Sequence, residues 1–254
     1  MATCWAASVG ECGGKASREH VVSKSLFVSP EITVHGFHWC KDEPKTIGIE
    51  SLTEKILCQK HNSRFSPLDS SAGEAFEALR QQTKFSNERQ KLPPRVLLKI
   101  ERFIIDASLL ERWLLKTLLN LTYGSEFFIG IGGTEKGVPS NDLVKMCYGL
   151  QPFPGNAGMY VAANAGMRLE MSDTVTFSPL LKDDQRVVGG FFEFRGIRLF
   201  LALMPEGLTH PLWSIPRIDP NWANATLLRP FKKIEVMYGE HLSHTVEFRW
   251  SYNP

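Results

Sequence analysis

Hydrophobic and polar positions change rhythm several times along the chain. A β-branched pair, Val21 and Val22, sits in a weakly alternating run over residues 20–27 and predicts a short strand beginning there. Residues 31–48 hold no sustained period; Gly36 and Pro44 interrupt them, Phe37 and Trp39 form an aromatic pair, and the stretch reads as an irregular insertion. Residues 51–58 read as a second strand running into Cys58. Residues 61–65 open a helix that Ser66-Pro67 interrupts, and Asp69-Ser70-Ser71 caps a new one through Phe76 and Leu79 towards Lys84. The polar residues 87–94, ending in Pro93-Pro94, make the best linker candidate.

Beyond the linker the pattern becomes more apolar. Residues 96–105 read as extended, and Asp106 caps a helix through Leu109, Leu110, Trp113, Leu114 and Leu118 that Gly124 stops. That helix is apolar nearly all round. It therefore needs burial on several sides or a subunit contact, and residues 109–121, from Leu109 to Leu121, are the candidate surface for a homo-oligomer. Residues 127–131 read as a buried strand and 142–150 as a short helix. Strands follow at 159–163, 175–178, 187–195, 198–204, 233–238 and 245–250. The expected fold class is α+β: a small module over residues 1–90, then a larger α+β domain over 91–254 with a mainly antiparallel sheet.

Composition narrows the class. A chain of 254 residues with 43% hydrophobic and 22% charged residues is long enough to bury a core without disulfides. The first fourteen residues lack the basic-then-apolar pattern of a secretory leader, and the most apolar stretch, 103–121, is broken by Asp106, Glu111, Arg112 and Lys116. A soluble cytoplasmic protein without a membrane span is expected. A net charge of +2 gives no overall basic balance, so any nucleic-acid contact must be a local patch. Five cysteines are present and four of them (Cys4, Cys12, Cys40, Cys58) lie in the first quarter, a clustering that favours a metal over disulfides.

Three groups of residues carry candidate chemistry. Cys4 and Cys12 come first, the latter followed by Gly13-Gly14; then Ser17-Arg18-Glu19-His20-Val21-Val22; then Leu57-Cys58-Gln59-Lys60-His61-Asn62. Cys58 and His61 offer a thiolate and an imidazole from one tight turn, and two upstream thiolates complete a tetrahedral zinc shell. Cys4 and Cys12 flank the turn before Glu19-His20 and are the favoured pair; Cys40, with His38 beside it, is the rival donor and a substitute for Cys4.

In this order the residues resemble the HNH endonuclease superfamily, over roughly Cys4 to Phe76. Such proteins place a cysteine turn before an acidic residue–histidine dipeptide, then a second Cys-x-x-Cys or Cys-x-x-His turn followed by asparagine. Cys12, Glu19-His20, Cys58-x-x-His61 and Asn62 match that order. The resemblance implies a zinc-stapled ββα-metal module with a structural Zn2+ ion. It further implies His20 as the base that activates water, and a catalytic Mg2+ or Mn2+ ion on Glu19 and Asn62. Phosphodiester hydrolysis, with DNA as partner, is the activity implied. A histidine titrates in the range such a base needs, and a hard ion on oxygen ligands neutralises the phosphate. The family's middle asparagine or histidine is missing from residues 49–55, where Ser51 is the nearest substitute. The alternative function is a zinc-stabilised nucleic-acid or protein binding module without nuclease activity. A third reading puts an enzyme in the C-terminal domain, with a cofactor pocket lined by His210, His241 or Asp219.

Other signals are weaker. Gly130-x-Gly132-Gly133 lacks the spacing of a phosphate loop and reads as a glycine turn after a strand. His241 and His244 suit a solvent-facing hairpin turn, and the sequons at Asn120 and Asn224 mean little alone. Phe191, Phe192, Phe194, Arg195 and Arg198 mix aromatic and basic residues, as nucleic-acid surfaces and strand cores both do.

Overall fold

The computed structural model describes residues 4–37, 39–93, 96, 101–163, 173–182, 185–205, 226–228, 233–237 and 244–250. The protein is α+β, with mainly antiparallel sheets. Strand β1 (Ala16–His20) pairs antiparallel with β4 (Thr53–Cys58), and β4 runs straight into α1 (Gln59–Ser63) and then α2 (Ser66–Arg89). The strand expected over 20–27 instead ends at His20. The second helix starts at Ser66, so Asp69 lies inside its first turn, where a carboxylate meets the positive end of the helix dipole.

The segment read as an insertion belongs to the main sheet. Strands β2 (Glu31–His35) and β3 (Lys45–Gly48) form an antiparallel pair, and β2 continues onto β8 (Thr174–Lys182) in parallel, with Val34 opposite Val175. β2 alternates buried Ile32 and Val34 with half-buried or exposed neighbours, a period-2 pattern too short to stand out in sequence. The sheet contains β7 (Gly158–Ala163), β9 (Arg186–Phe194), β10 (Ile197–Ala202) and β11 (Thr226–Leu228), in the order β11-β7-β10-β9-β8-β2-β3. A short β6 (Phe128–Ile129) adds to β9. A third sheet joins β12 (Lys233–Met237), β13 (His244–Arg249) and β5 (Glu101–Asp106), with β13 and β5 parallel.

Helix α3 (Ala107–Thr122) is the spine against which these layers pack. The Asp106 side chain accepts from the Ser108 and Leu109 backbone N–H groups, as the sequence implies, and Gly124 (φ 71°) lies just past the helix end. Leu110, Trp113, Leu114, Leu115, Leu118 and Leu119 are all buried within the chain. Burial on several sides thus accounts for its apolar character.

The expected border near residue 90 does not separate two cores. One continuous hydrophobic cluster runs from Trp5, Leu57 and Phe76 through Trp113 and Leu118 to Phe192, Leu199 and Phe248. In it Trp113 meets Phe76 and Phe192 edge-to-face at 5.8 and 5.2 Å between ring centroids. A short helix α4 (Asn141–Cys147) completes the described elements.

Two weaker sequence signals resolve into packing. The Arg186 guanidinium donates to the Gly130, Ile131 and Gly133 carbonyls at 3.0, 3.3 and 2.8 Å, so the glycine turn presents oxygens to a cation rather than N–H groups to a phosphate. Phe192 and Phe194 are fully buried, Arg195 donates to the Phe76 carbonyl at 3.3 Å, and Arg198 pairs with Glu193 at 3.2 Å. That stretch is a strand core. Of the sequons, Asn120 is buried; Asn224, like His38, His210, Asp219 and His241, lies outside the described residues.

Candidate metal centre

The β4–α1 junction builds the metal-ligating cluster. Cys58 is the N-cap of α1, and its sulfur accepts from the His61 backbone N–H at 3.5 Å and from the Gly13 N–H at 3.4 Å. The N-terminal loop is laid onto this turn by backbone bonds, Gln59 N–H to the Lys15 carbonyl (3.1 Å) and Lys60 N–H to the Gly13 carbonyl (3.2 Å). Gly14 turns the loop with φ 78°, and a Cβ there would meet the Gln59 side chain at 2.5 Å.

The ligand atoms of Cys4, Cys12, Cys58 and His61 all lie within 4.8 Å of one another, and together they could hold a metal ion such as zinc. The His61 Nδ1 atom sits 3.2 Å from the Cys4 sulfur, 3.6 Å from that of Cys12 and 3.4 Å from that of Cys58. A tetrahedral ion with Zn–S of about 2.3 Å and Zn–N of about 2.0–2.1 Å sets sulfur and nitrogen about 3.6 Å apart, so the donor set fits. Burial pushes the Cys4 thiol up to about 12, a strong reason for it to ionise only against a cation. Burial acts most strongly to raise Cys58, but hydrogen bonds from the Gly13 and His61 N–H groups and with Cys4 and Cys12 together hold that thiol below the ordinary range. Burial lowers His61, which keeps its imidazole in the neutral, ligating form. Around the cluster Tyr148 donates its hydroxyl to the His61 carbonyl at 3.2 Å and packs on Phe65, with ring centroids 4.5 Å apart. Cys40 is not part of the cluster: it is buried beside β2, with its thiol directed at the Val34 carbonyl 3.6 Å away. Cys4 takes the position for which Cys40 was the substitute.

Of the two residues expected to hold a second ion, Glu19 is engaged by a cation of the chain itself. Glu19 is 4% exposed, and its Oε1 lies 2.5 Å from the Lys116 ammonium on α3. The same ammonium reaches both Asp69 oxygens at 2.7 and 3.0 Å, so its three protons all have carboxylate acceptors. Asn120 donates to Glu19 at 3.4 Å and accepts from the Trp5 indole at 3.1 Å. Ser23 donates to Asp69 and accepts from the Trp113 indole at 2.7 Å. Asn62 is anchored by its Nδ2, which donates to Ser17 Oγ at 2.9 Å. Burial alone would lower Lys116, but Glu19 and Asp69 overcome it and hold the ammonium protonated above the usual lysine value. With two carboxylates sharing one ammonium, burial raises the Glu19 carboxyl despite its partner. Glu19 as placed does not fit a divalent ion, because the Lys116 charge already lies where it would meet one. Among the described residues, the cysteine–histidine set is the one group of three or more His, Cys, Asp or Glu side chains placed to ligate a metal.

His20 closes β1, opposite Thr53 on β4. Its side chain is 24% exposed, and the Glu50 carboxylate lies 3.7 Å from Nε2. Nε2 itself is buried and has no hydrogen-bond partner. Burial lowers the His20 pKa against the opposing pull of Glu50, so the imidazole is neutral at pH 7. Glu50 is itself tied to Lys24. Ser51 ends the 3-10 turn Ile49–Ser51, exposed, at the edge of a cavity.

The chain matches no family model, no curated protein and no solved structure. No described helix is long and apolar enough to cross a membrane.

Proposed function

We propose that the chain is a zinc-stapled ββα binding module built onto a larger α+β body, which engages DNA without cleaving it. The buried Lys116–Glu19 pair carries this reading. In the HNH scheme the carboxylate before the histidine holds the divalent ion, and here that carboxylate is neutralised by the chain's own cation. A structural Zn2+ on Cys4, Cys12, Cys58 and His61 supplies cross-linking to a two-stranded ladder too small to be stable alone. Exposed Arg18 on β1 and Lys55 on β4 offer local positive charge for a phosphate backbone, within a chain of near-neutral total.

A second reading keeps hydrolysis. His20, neutral and with an unpartnered Nε2 at the strand end, is the observation that favours it. A Mg2+ or Mn2+ ion would then need Glu19 to leave Lys116, and the site as folded gives no step through such an ion.

One experiment separates the two readings. Zinc-loaded full-length protein and His20→Ala are mixed with supercoiled plasmid in Mg2+ or Mn2+, and nicking and gel retardation are followed across a salt series. Retardation that weakens steeply with salt, with no nicking by either protein, supports the binding reading. Metal-dependent nicking that disappears in His20→Ala sinks it.

A further inference from the structure

A cavity of about 790 Å3 opens where the β1–β4 ladder meets the main sheet. One wall is the start of β4, with Glu54; a second is the turn after α3, with Tyr123 and Glu126; a third carries Trp39 and Phe177. Its size falls in the range of about 300–1,000 Å3 typical of small-molecule sites. No zinc-cluster residue lines it, and of the Lys116 network only Asn120 reaches it.

The walls are built by fixed backbone. Gly36 adopts φ 82°, and a Cβ there would lie 2.0 Å from the Phe177 carbonyl oxygen, so glycine alone lets the end of β2 close onto β8. The turn after α3 is clamped from outside by Gly137, through bonds of 2.9 Å from the Gly124 N–H to the Gly137 carbonyl and 2.7 Å from the Gly137 N–H to the Phe127 carbonyl.

The lining has a chemical sign. Glu54 and Glu126 are exposed at the cavity, and neither forms an ion pair among the described residues. Among the described residues, Lys41 is the single cation that lines it. Lys45 lies nearby but is committed: it donates to the Trp39 carbonyl at 3.1 Å and rests 5.9 Å from the Trp39 ring centroid. Two carboxylates without an ion pair among the described residues, one ammonium, and indole and phenol surfaces in the same lining disfavour phosphates and carboxylates. They favour a planar ring joined to a positive nitrogen, through ring stacking, cation–π attraction and charge pairing.

We propose that this cavity binds a small organic cation bearing one aromatic ring and one ammonium group, with the ring against Trp39 and Tyr123 and the ammonium at Glu54 and Glu126. The proposal rests on the cavity and stands apart from whether the ββα module cleaves DNA.

Isothermal titration of the zinc-loaded full chain with three ligands that share a phenyl ring tests it: phenethylamine as cation, phenylalanine as zwitterion and 3-phenylpropionate as anion. Saturable binding is expected for phenethylamine, weaker for phenylalanine and absent for 3-phenylpropionate. The Glu54→Gln/Glu126→Gln double variant, altered at two exposed positions and checked for its native circular dichroism, should weaken phenethylamine binding by about tenfold or more. The proposal is overturned if phenethylamine gives no saturable heat into the millimolar range, if the zwitterion or anion binds as tightly, or if the double variant retains full affinity.

Discussion

The Lys116 ammonium on α3 lies 2.5 Å from the Glu19 carboxylate on β1, with both side chains shut off from solvent. A buried charge that loses its partner is left uncompensated, whereas removing both charges together is often neutral. Lys116→Ala is therefore expected to cost about 3–5 kcal/mol, read from urea unfolding. Lys116→Met combined with Glu19→Gln should recover most of that loss. Equal destabilisation by the single and double variants would mean that the two charges are not coupled.

The same pair predicts a pH dependence. Lys116 is held protonated above its unfolded value of about 10.4. For a cation with a raised folded pKa the contribution is fully present below the unfolded value and is lost as pH rises through the folded one. The unfolding midpoint should hardly respond to Lys116 at neutral pH and should fall on the alkaline side of pH 10. In Lys116→Met with Glu19→Gln that alkaline step should shrink, and an unchanged step would assign it to other groups.

Zinc should be stoichiometric and needed for folding. Elemental analysis is expected to find one zinc per chain, bound through Cys4, Cys12, Cys58 and His61. Cys58→Ala removes a ligand and the N-cap of α1 together and should lose both the metal and the near-UV circular dichroism. Cys40→Ala, altered outside the cluster, should keep its zinc. A Cys58→Ala protein that folds without metal contradicts the staple.

Residues 1–90 should not fold alone, even with zinc. Trp5, Glu19 and Ser23 bond to Asn120, Lys116 and Trp113, all on α3. An isolated 1–90 fragment is expected to show poorly dispersed amide resonances, and a well-dispersed spectrum would establish an independent module.

What could be read in the sequence was local. The Cys58-x-x-His61 turn, the strand before it, the Asp106 cap and the buried helix after it each depend on neighbours a few residues apart, and each is present. The pairing of Thr33 with Thr174 and the meeting of Glu19 with Lys116 join distant parts of the chain, which no local pattern encodes. The local pattern therefore offers Glu19 as an ion ligand beside His20 as a base, whereas Glu19 is an interior anchor. One signal was available: Lys116 and Asn120 lie four residues apart on the face of the helix that carries the apolar Trp113. A lysine on a buried face requires a buried carboxylate.

If Lys116 takes the place of a divalent ion at Glu19, Mn2+ titration of the zinc-loaded wild-type protein, followed by electron paramagnetic resonance, should show it. The free Mn2+ signal should rise in proportion to added metal, with no bound ion that depends on Glu19. One Mn2+ bound per chain, and lost in Glu19→Gln, would contradict it.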